Sequence, residues 1–143
     1  MKTIGFVVKL SSSDIPASQR FYTEILGFVV DERYTINTGG CYLNESYIQL
    51  NLPGLDNNIA IGLYKDIYAP MPKQDPSAIP GTAPTFLVAD IKSEREALIK
   101  KGVSVEEIIS NTSDEGYTDE FAFFQDPDNN TLVIRQNIEH YTR

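Results

Sequence analysis

Tryptophan is absent from this 143-residue chain, and cysteine and histidine occur once each, as Cys41 and His140. A single cysteine excludes an intrachain disulfide and fits a reducing compartment. Nucleophilic catalysis by Cys41 would need a base beside it. The one histidine sits near the end of the sequence and reads as a tail residue, so Cys41 reads as a small apolar residue near a strand start. No apolar run approaches the ~18 residues that span a bilayer, and the opening residues lack the charged, apolar and small-residue pattern of a signal peptide. The expectation is a cytoplasmic chain without a membrane partner. Basic residues are also scarce, 12 Lys and Arg against 20 Asp and Glu, for a net charge of −8. That balance argues against a nucleic-acid partner, whose phosphates call for basic surfaces. Between Lys101 and Arg135 there is no basic residue, yet Glu106, Glu107, Asp114, Glu115, Asp119, Glu120, Asp126 and Asp128 all fall there. Either this is a solvated face that keeps the protein soluble, or it is a rim that attracts a cationic ligand. No Gly-x-Ser-x-Gly elbow, phosphate loop or dinucleotide fingerprint is found.

What is present is ordinary for a globular domain of this length, with 41% apolar and 22% charged residues. The most informative stretch is Phe121 to Gln136, FAFFQDPDNNTLVIRQ. Asp126-Pro127-Asp128-Asn129-Asn130 is dense in turn formers and predicts a five-residue hairpin loop. Pairing the arms outward sets Phe124 opposite Leu132, Phe123 opposite Val133 and Phe121 opposite Arg135. Alternation then gives one face Ala122, Phe124, Leu132 and Ile134, suited to a core under a helix. The other face carries Phe121, Phe123, Val133 and Arg135, as expected of a cavity wall.

Taken in order, residues 3–10 read as a strand, and Ser11-Ser12-Ser13-Asp14 with Pro16 start a helix. The helix is expected from Ile15 to Leu26, with Ile15, Phe21, Tyr22, Ile25 and Leu26 as its apolar stripe and Gly27 as its stop. Strands follow at Phe28–Tyr34, Tyr47–Leu52 and Ile59–Lys65, the first two separated by a loose segment with Gly39-Gly40. Asp66 to Thr82 carries Pro70, Pro72, Pro76 and Pro80, and reads as a connector. The pattern then repeats: a strand at Pro84–Ala89, a helix from Ile91 to Lys101 capped by Asp90 and stopped by Gly102, a strand at Val103–Ile109, and the hairpin. In that helix Ile91, Ala97 and Leu98 are expected to face inward. Asp14-Ile15 is echoed by Asp90-Ile91, and Gly27-Phe28-Val29 by Gly102-Val103, so a β-α-β-β-β unit occurs twice. The expected organisation is module one over 3–65, a connector over 66–82, module two over 83–136 and a tail over 137–143. The fold class is α+β, with two modules forming a curved mixed sheet around a cup.

With this repeat, the start VVKLSSSDIPASQRFYTEILGF and the hairpin FQDPDNNTLVI, the chain resembles the vicinal oxygen chelate superfamily. That group includes glyoxalase I, extradiol dioxygenases, fosfomycin-resistance enzymes and bleomycin-binding proteins, which share a scaffold and not a reaction. The family usually has Gly where Asn129 stands, and Asn is the next most tolerant residue of φ > 0. Metal-dependent members place His, Glu or Gln at four cup-facing positions. The resemblance puts these at Val7, Gly62, Ala83 and Val133, none of which carries a lone pair on its side chain. It therefore implies a metal-free branch with no cofactor.

The expected cup lining is Val7, Lys9, Tyr47, Gln49, Gly62 and Tyr64 from module one, and Phe121, Phe123, Val133 and Arg135 from module two. Lys9 and Arg135 are expected to be buried or half-buried, and either bind an anionic group or pair with carboxylates. Two functions stay open. One is a binding protein that sequesters an aromatic or cationic small molecule between aromatic walls. The other is a lyase- or isomerase-like enzyme using Lys9, a tyrosine or Gln49 as acid or base. A homodimer is expected, with modules paired either within one chain or by exchange between two.

Overall fold

Both halves of the chain build the same order of elements from different sequence. In the computed structural model, residues 1–36, 46–55, 59–65 and 82–138 are described. Gly39-Gly40, Cys41, His140 and all of the proline-rich connector except Thr82 lie outside them. The chain divides into two compact units, residues 1–79 and 80–143.

Unit one comprises β1 (Phe6–Ser11), α1 (Ile15–Arg20), β2 (Val29–Ile36), β3 (Ser46–Asn51) and β4 (Ile59–Lys65). Its sheet has the order β1-β4-β3-β2, with β1 parallel to β4 and the other pairs antiparallel. Unit two comprises β5 (Thr85–Leu87), α2 (Ile91–Lys100), β6 (Ile109–Thr112), β7 (Thr118–Gln125) and β8 (Thr131–Ile138). Its order is β5-β8-β7-β6, again with only the first pair parallel. Two four-stranded mixed sheets, each with its own helix, make this an α+β protein.

The helix boundaries follow from side-chain chemistry. The Asp14 carboxylate accepts from the Ala17 N–H at 3.1 Å, and Asp90 accepts from the Ser93 N–H at 3.2 Å and from its hydroxyl at 2.8 Å. Each satisfies a backbone donor that has no partner inside the helix. The bonds from Ser93 also hold the Asp90 carboxyl below its ordinary pKa. Gln136 Oε1, from β8, accepts from the Ile91 N–H at 2.9 Å and ties α2 to its sheet. Both helical segments end where Gly27 (φ 82°) and Gly102 (φ 88°) take left-handed conformations. The expected single helix from Ile15 to Leu26 is in fact composite. It is α-helical to Arg20 and then widens into a π-helical turn, Phe21–Ile25, in which the Leu26 N–H donates to the Phe21 carbonyl.

Each helix covers one face of its own sheet, α1 against β4 and α2 against β7 and β8. Ile15, Tyr22, Ile48, Leu50 and Leu63 are fully enclosed in unit one, where the Tyr22 ring meets Phe21 and Phe28 edge-on at 5.3 and 5.7 Å. In unit two the core is Ile91, Leu98, Ala122, Phe124, Leu132 and Ile134. Each Leu, Ile or Phe among these contributes ~1.5–3 kcal/mol by leaving water. Ala97, expected to face inward, is exposed instead, because the contact stripe of α2 runs through Ile91 and Leu98.

The hairpin has the expected register: Phe124 opposite Leu132, Phe123 opposite Val133, Phe121 opposite Arg135. Its loop is organised by buried Asp126, whose Oδ1 accepts from the N–H groups of Asp128 and Asn130 at 2.9 Å each. Asn129 stands at φ 63°, the conformation its amide side chain tolerates. The strand expected at Val103–Ile109 lies later, at Ile109–Thr112. Before it only Val105 bridges β7, opposite Phe124. The Arg95 guanidinium, on α2, takes the carbonyls of Val105 and Glu106 at 3.0 and 2.9 Å. Those carbonyls are thereby tied to the helix, and a regular ladder forms only beyond them.

Candidate functional site

In unit one the register sorts side chains into rows on the face opposite the helix. One row runs Lys9, Gly62, Gln49, Asp31 across β1, β4, β3 and β2. Flanking rows run Ser11, Tyr64, Tyr47 and Val7, Ala60, Asn51, Val29. All six residues expected from this half, Val7, Lys9, Tyr47, Gln49, Gly62 and Tyr64, therefore share one face. Alternation places them there, since Leu10, Ile48, Leu50, Ile61 and Leu63 point the other way into the core.

The centre of that face is an aromatic and cationic cluster. Lys9 Nζ lies 5.4 Å from the Tyr47 ring centroid and 5.5 Å from that of Tyr64, within the range of cation–π attraction. Tyr47 donates its hydroxyl hydrogen to Gln49 Oε1 at 3.1 Å. Gly62 makes room for it: a Cβ there would stand 2.6 Å from Tyr47 Cε2, and the far end of the ring would have to shift. The tyrosine ring thus lies across bare backbone. Burial raises the Tyr47 hydroxyl pKa, which keeps it protonated as a donor. Lys9 itself is exposed, not buried as expected, because β1 is an edge strand with a neighbour on one side only.

At the far end of the central row sits a charged network that was not foreseen. Buried Asp31 accepts from Arg33 Nε at 2.9 Å, Arg33 Nη2 at 2.7 Å and Asn51 Nδ2 at 2.9 Å. The Arg33 bonds, then the Asn51 bond, hold the Asp31 carboxyl far below the ordinary carboxylate range, and Asp31 in turn raises Arg33. A cavity of about 410 Å³ opens beside it, lined by Val29, Asp31, Arg33, Asn51 and Pro53 among others. Asn51 Oδ1 has no partner among the described residues. The alternation that places Tyr47 and Gln49 also places Asn51, so the signal was available for half of this network.

In unit two, Phe121 and Phe123 pack edge-to-face at 5.5 Å on the face opposite α2. Arg135 Nε lies 3.0 Å from Asp119 Oδ2, so of the two roles open to Arg135 the carboxylate pairing is realised, as an ion pair by distance in which Nε makes no directed hydrogen bond among the described residues. Val133 shares this face but is only 6% exposed. It is flanked by Phe123 on β7 and Thr85 on β5, so it serves as floor more than as contact surface. An opening of about 530 Å³ lies at the strand ends of this unit, bounded by Asn111, Tyr117, Asp119, Arg135 and Asn137 among others. The acidic stretch is partly accounted for here. Asp126 builds the hairpin loop, Asp119 holds Arg135, and Glu107 stands 3.5 Å from Arg95.

A metal of the kind bound by the metal-dependent members does not fit these residues. Val7, Gly62, Ala83 and Val133 offer no side-chain donor, and a divalent ion needs several at ~2 Å. Among the described residues no three His, Cys, Asp or Glu side chains cluster closely enough to share an ion. No helix among them is long and apolar enough to cross a membrane.

A repeated β-α-β-β-β unit with this hairpin defines a class, and comparison with known proteins gives its name. The model of the Glyoxalase/Bleomycin resistance protein/Dioxygenase superfamily matches residues 3–134. The chain belongs to that superfamily. Among solved structures, it is similar to TnmS3, an antibiotic binding protein from Streptomyces sp. CB03234, at 19% identity and a TM-score of 0.65, covering 96% of this chain and 97% of that one. A glyoxalase family protein from Enterococcus faecalis is 21% identical with a TM-score of 0.62, covering 94% and 96%. Virulence protein STM3117 from Salmonella typhimurium is 23% identical with a TM-score of 0.64, covering 96% and 98%. At these identities the likeness is one of fold. Among curated proteins none matches.

Proposed function

We propose that this protein binds a small aromatic or cationic compound without a metal and holds it rather than transforming it. The observation that carries the reading is the unit-one face. Where metal-dependent members need donors it has Val7 and Gly62, and the glycine is cleared for Tyr47, which with Tyr64 flanks Lys9. Two such rings contribute ~0.5–1.5 kcal/mol each beyond burial when an aromatic ligand stacks on them. The unit-two face carries an aromatic pair of its own, Phe121 and Phe123. That a protein of this fold is an antibiotic binding protein supports the reading. The lyase- or isomerase-like alternative needs an acid or a base from Lys9, a tyrosine or Gln49; burial, by keeping the Tyr47 hydroxyl protonated, leaves that residue only the acid role.

A thermal-shift panel of planar aromatic compounds and cationic antibiotics tests the proposal. Ligands that raise Tm for the native chain should do so less for Tyr47→Ala and Tyr64→Ala. Turnover of a bound compound, or a dialysis-resistant stoichiometric transition metal in untagged protein, would overturn it. A homodimer belongs to the same proposal. Edge strand β1 carries Phe6 and Val7 at 64% and 44% exposure, apolar surface that a second copy would cover. Light scattering at low micromolar concentration should give twice the 16.0 kDa chain mass, and a strictly monomeric mass would end this part.

A further inference from the structure

We infer that Lys9 is an anion-recognition residue, and that the aromatic ligand of the unit-one face carries a carboxylate. The inference rests on the binding reading above and names the chemistry of its ligand. Lys9 Nζ has two ring faces at 5.4 and 5.5 Å and no ion pair among the described residues. This differs from the other charged pairs of the two faces. Arg135 is held by Asp119, and the one acid in the Lys9 row, Asp31, is occupied by Arg33 and Asn51.

Tyrosine rings attract the ammonium charge through their faces and leave its three N–H groups unspent. Its partner across the strand pair is Gly62, which has no side chain to offer. Next in the row is Gln49, whose Oε1 spends one of its two lone pairs on the Tyr47 hydroxyl and whose amide NH₂ is a donor. The Tyr64 hydroxyl lies in the flanking row. The face therefore presents an ammonium without an ion pair among the described residues, and an amide NH₂ in the same row, beside aromatic surface; a carboxylate on a planar ring supplies a charged acceptor for them. The chain's charge of −8 does not reverse this. At physiological ionic strength charges beyond ~8 Å are largely screened, so the local ammonium decides.

The probes are naphthoate, naphthamide and naphthylmethylammonium, one ring system carrying negative, neutral and positive groups. Their affinities are measured by calorimetry against the full chain, Lys9→Met and Lys9→Arg. Naphthoate should bind the native chain roughly tenfold more tightly than naphthamide, as one partly exposed charge-assisted contact allows. Naphthylmethylammonium should be the weakest. Lys9→Met should weaken naphthoate by clearly more than naphthamide, so that the preference between them disappears, whereas Lys9→Arg should keep the preference. High salt should narrow it. Equal binding of acid and amide by the native chain, or equal weakening of both by Lys9→Met, would overturn the anion assignment and leave aromatic binding standing. Absence of binding by all three probes at millimolar concentration would overturn the binding reading, and this inference with it.

Discussion

Replacing Gly62 by alanine sets two opposing effects against each other at the centre of the candidate site. No left-handed conformation is imposed at Gly62, so alanine restricts the unfolded chain more than the folded one and gains ~0.4–1 kcal/mol. The new Cβ would, however, stand 2.6 and 2.8 Å from Tyr47 Cε2 and Cζ, well inside ordinary contact. The ring must leave. With it go the hydroxyl bond to Gln49, worth ~0.5–1.5 kcal/mol, and the contact with Lys9, worth ~0.5–1 kcal/mol at an exposed site. The losses equal or exceed the gain, and Gly62→Ala should destabilise by roughly 0–2 kcal/mol. In a Tyr47→Ala background the three nearest contacts of that Cβ are gone, and the same substitution should be neutral or stabilising by ~0.4–1 kcal/mol. Urea unfolding of the four proteins measures the cycle, with a shift in midpoint at constant slope and a coupling of ~1–2.5 kcal/mol. An equal effect of Gly62→Ala in both backgrounds would show that Tyr47 does not lie across the glycine.

Phe124→Ala should cost ~3–5 kcal/mol, because the ring is 2% exposed and leaves a cavity between Leu132 and the helix. Phe123→Ala, half-buried and on the opposite face, should cost about 1–2 kcal/mol and weaken ligand binding more. The reverse order of destabilisation would put the hairpin out by one residue. Asp31→Asn should destabilise in a pH-dependent way. The Asp31 carboxyl is depressed in the folded state, so its stabilisation is fully present above the unfolded value of about 3.9 and is lost as pH falls toward the folded value. The stability gap between the two proteins should be constant above about pH 5 and shrink below about pH 4; a gap that widens on acidification would contradict the Arg33 and Asn51 bonds.

Features set by neighbouring residues were legible in the sequence, and those set by distant partners were not. The hairpin register follows from counting outward from a turn whose residues have few other uses, and the helix starts from Asp14 and Asp90 beside apolar stripes. The same alternation put Tyr47, Gln49, Gly62 and Tyr64 on one face. By contrast, the end of strand pairing near Val105 depends on Arg95, ten residues away and on another element. Asp31 and Asn51 are twenty residues apart, and nothing local to either marks the pair. The burial of Val133 likewise depends on β5, whose pairing with β8 bridges some fifty residues of chain.

The π-helical turn at Phe21–Ile25 has a consequence for chain length. Asp14 to Gly27 spans thirteen positions, whereas Asp90 to Gly102 spans twelve. A π turn takes up one residue more than the α-helical turn it replaces, and unit one has such a turn where the helix of unit two, Ile91–Lys100, is α-helical throughout. The surplus residue is absorbed as a local widening and is not passed on. The capping aspartate and the terminating glycine keep their places, so β2 begins in step with β3, from Val29 opposite Asn51 to Asp31 opposite Gln49, and the shift in that ladder comes only beyond Asp31. Length in this segment is thereby uncoupled from strand pairing, and a one-residue insertion or deletion there changes the winding of a single turn while the faces of the sheet keep their side chains.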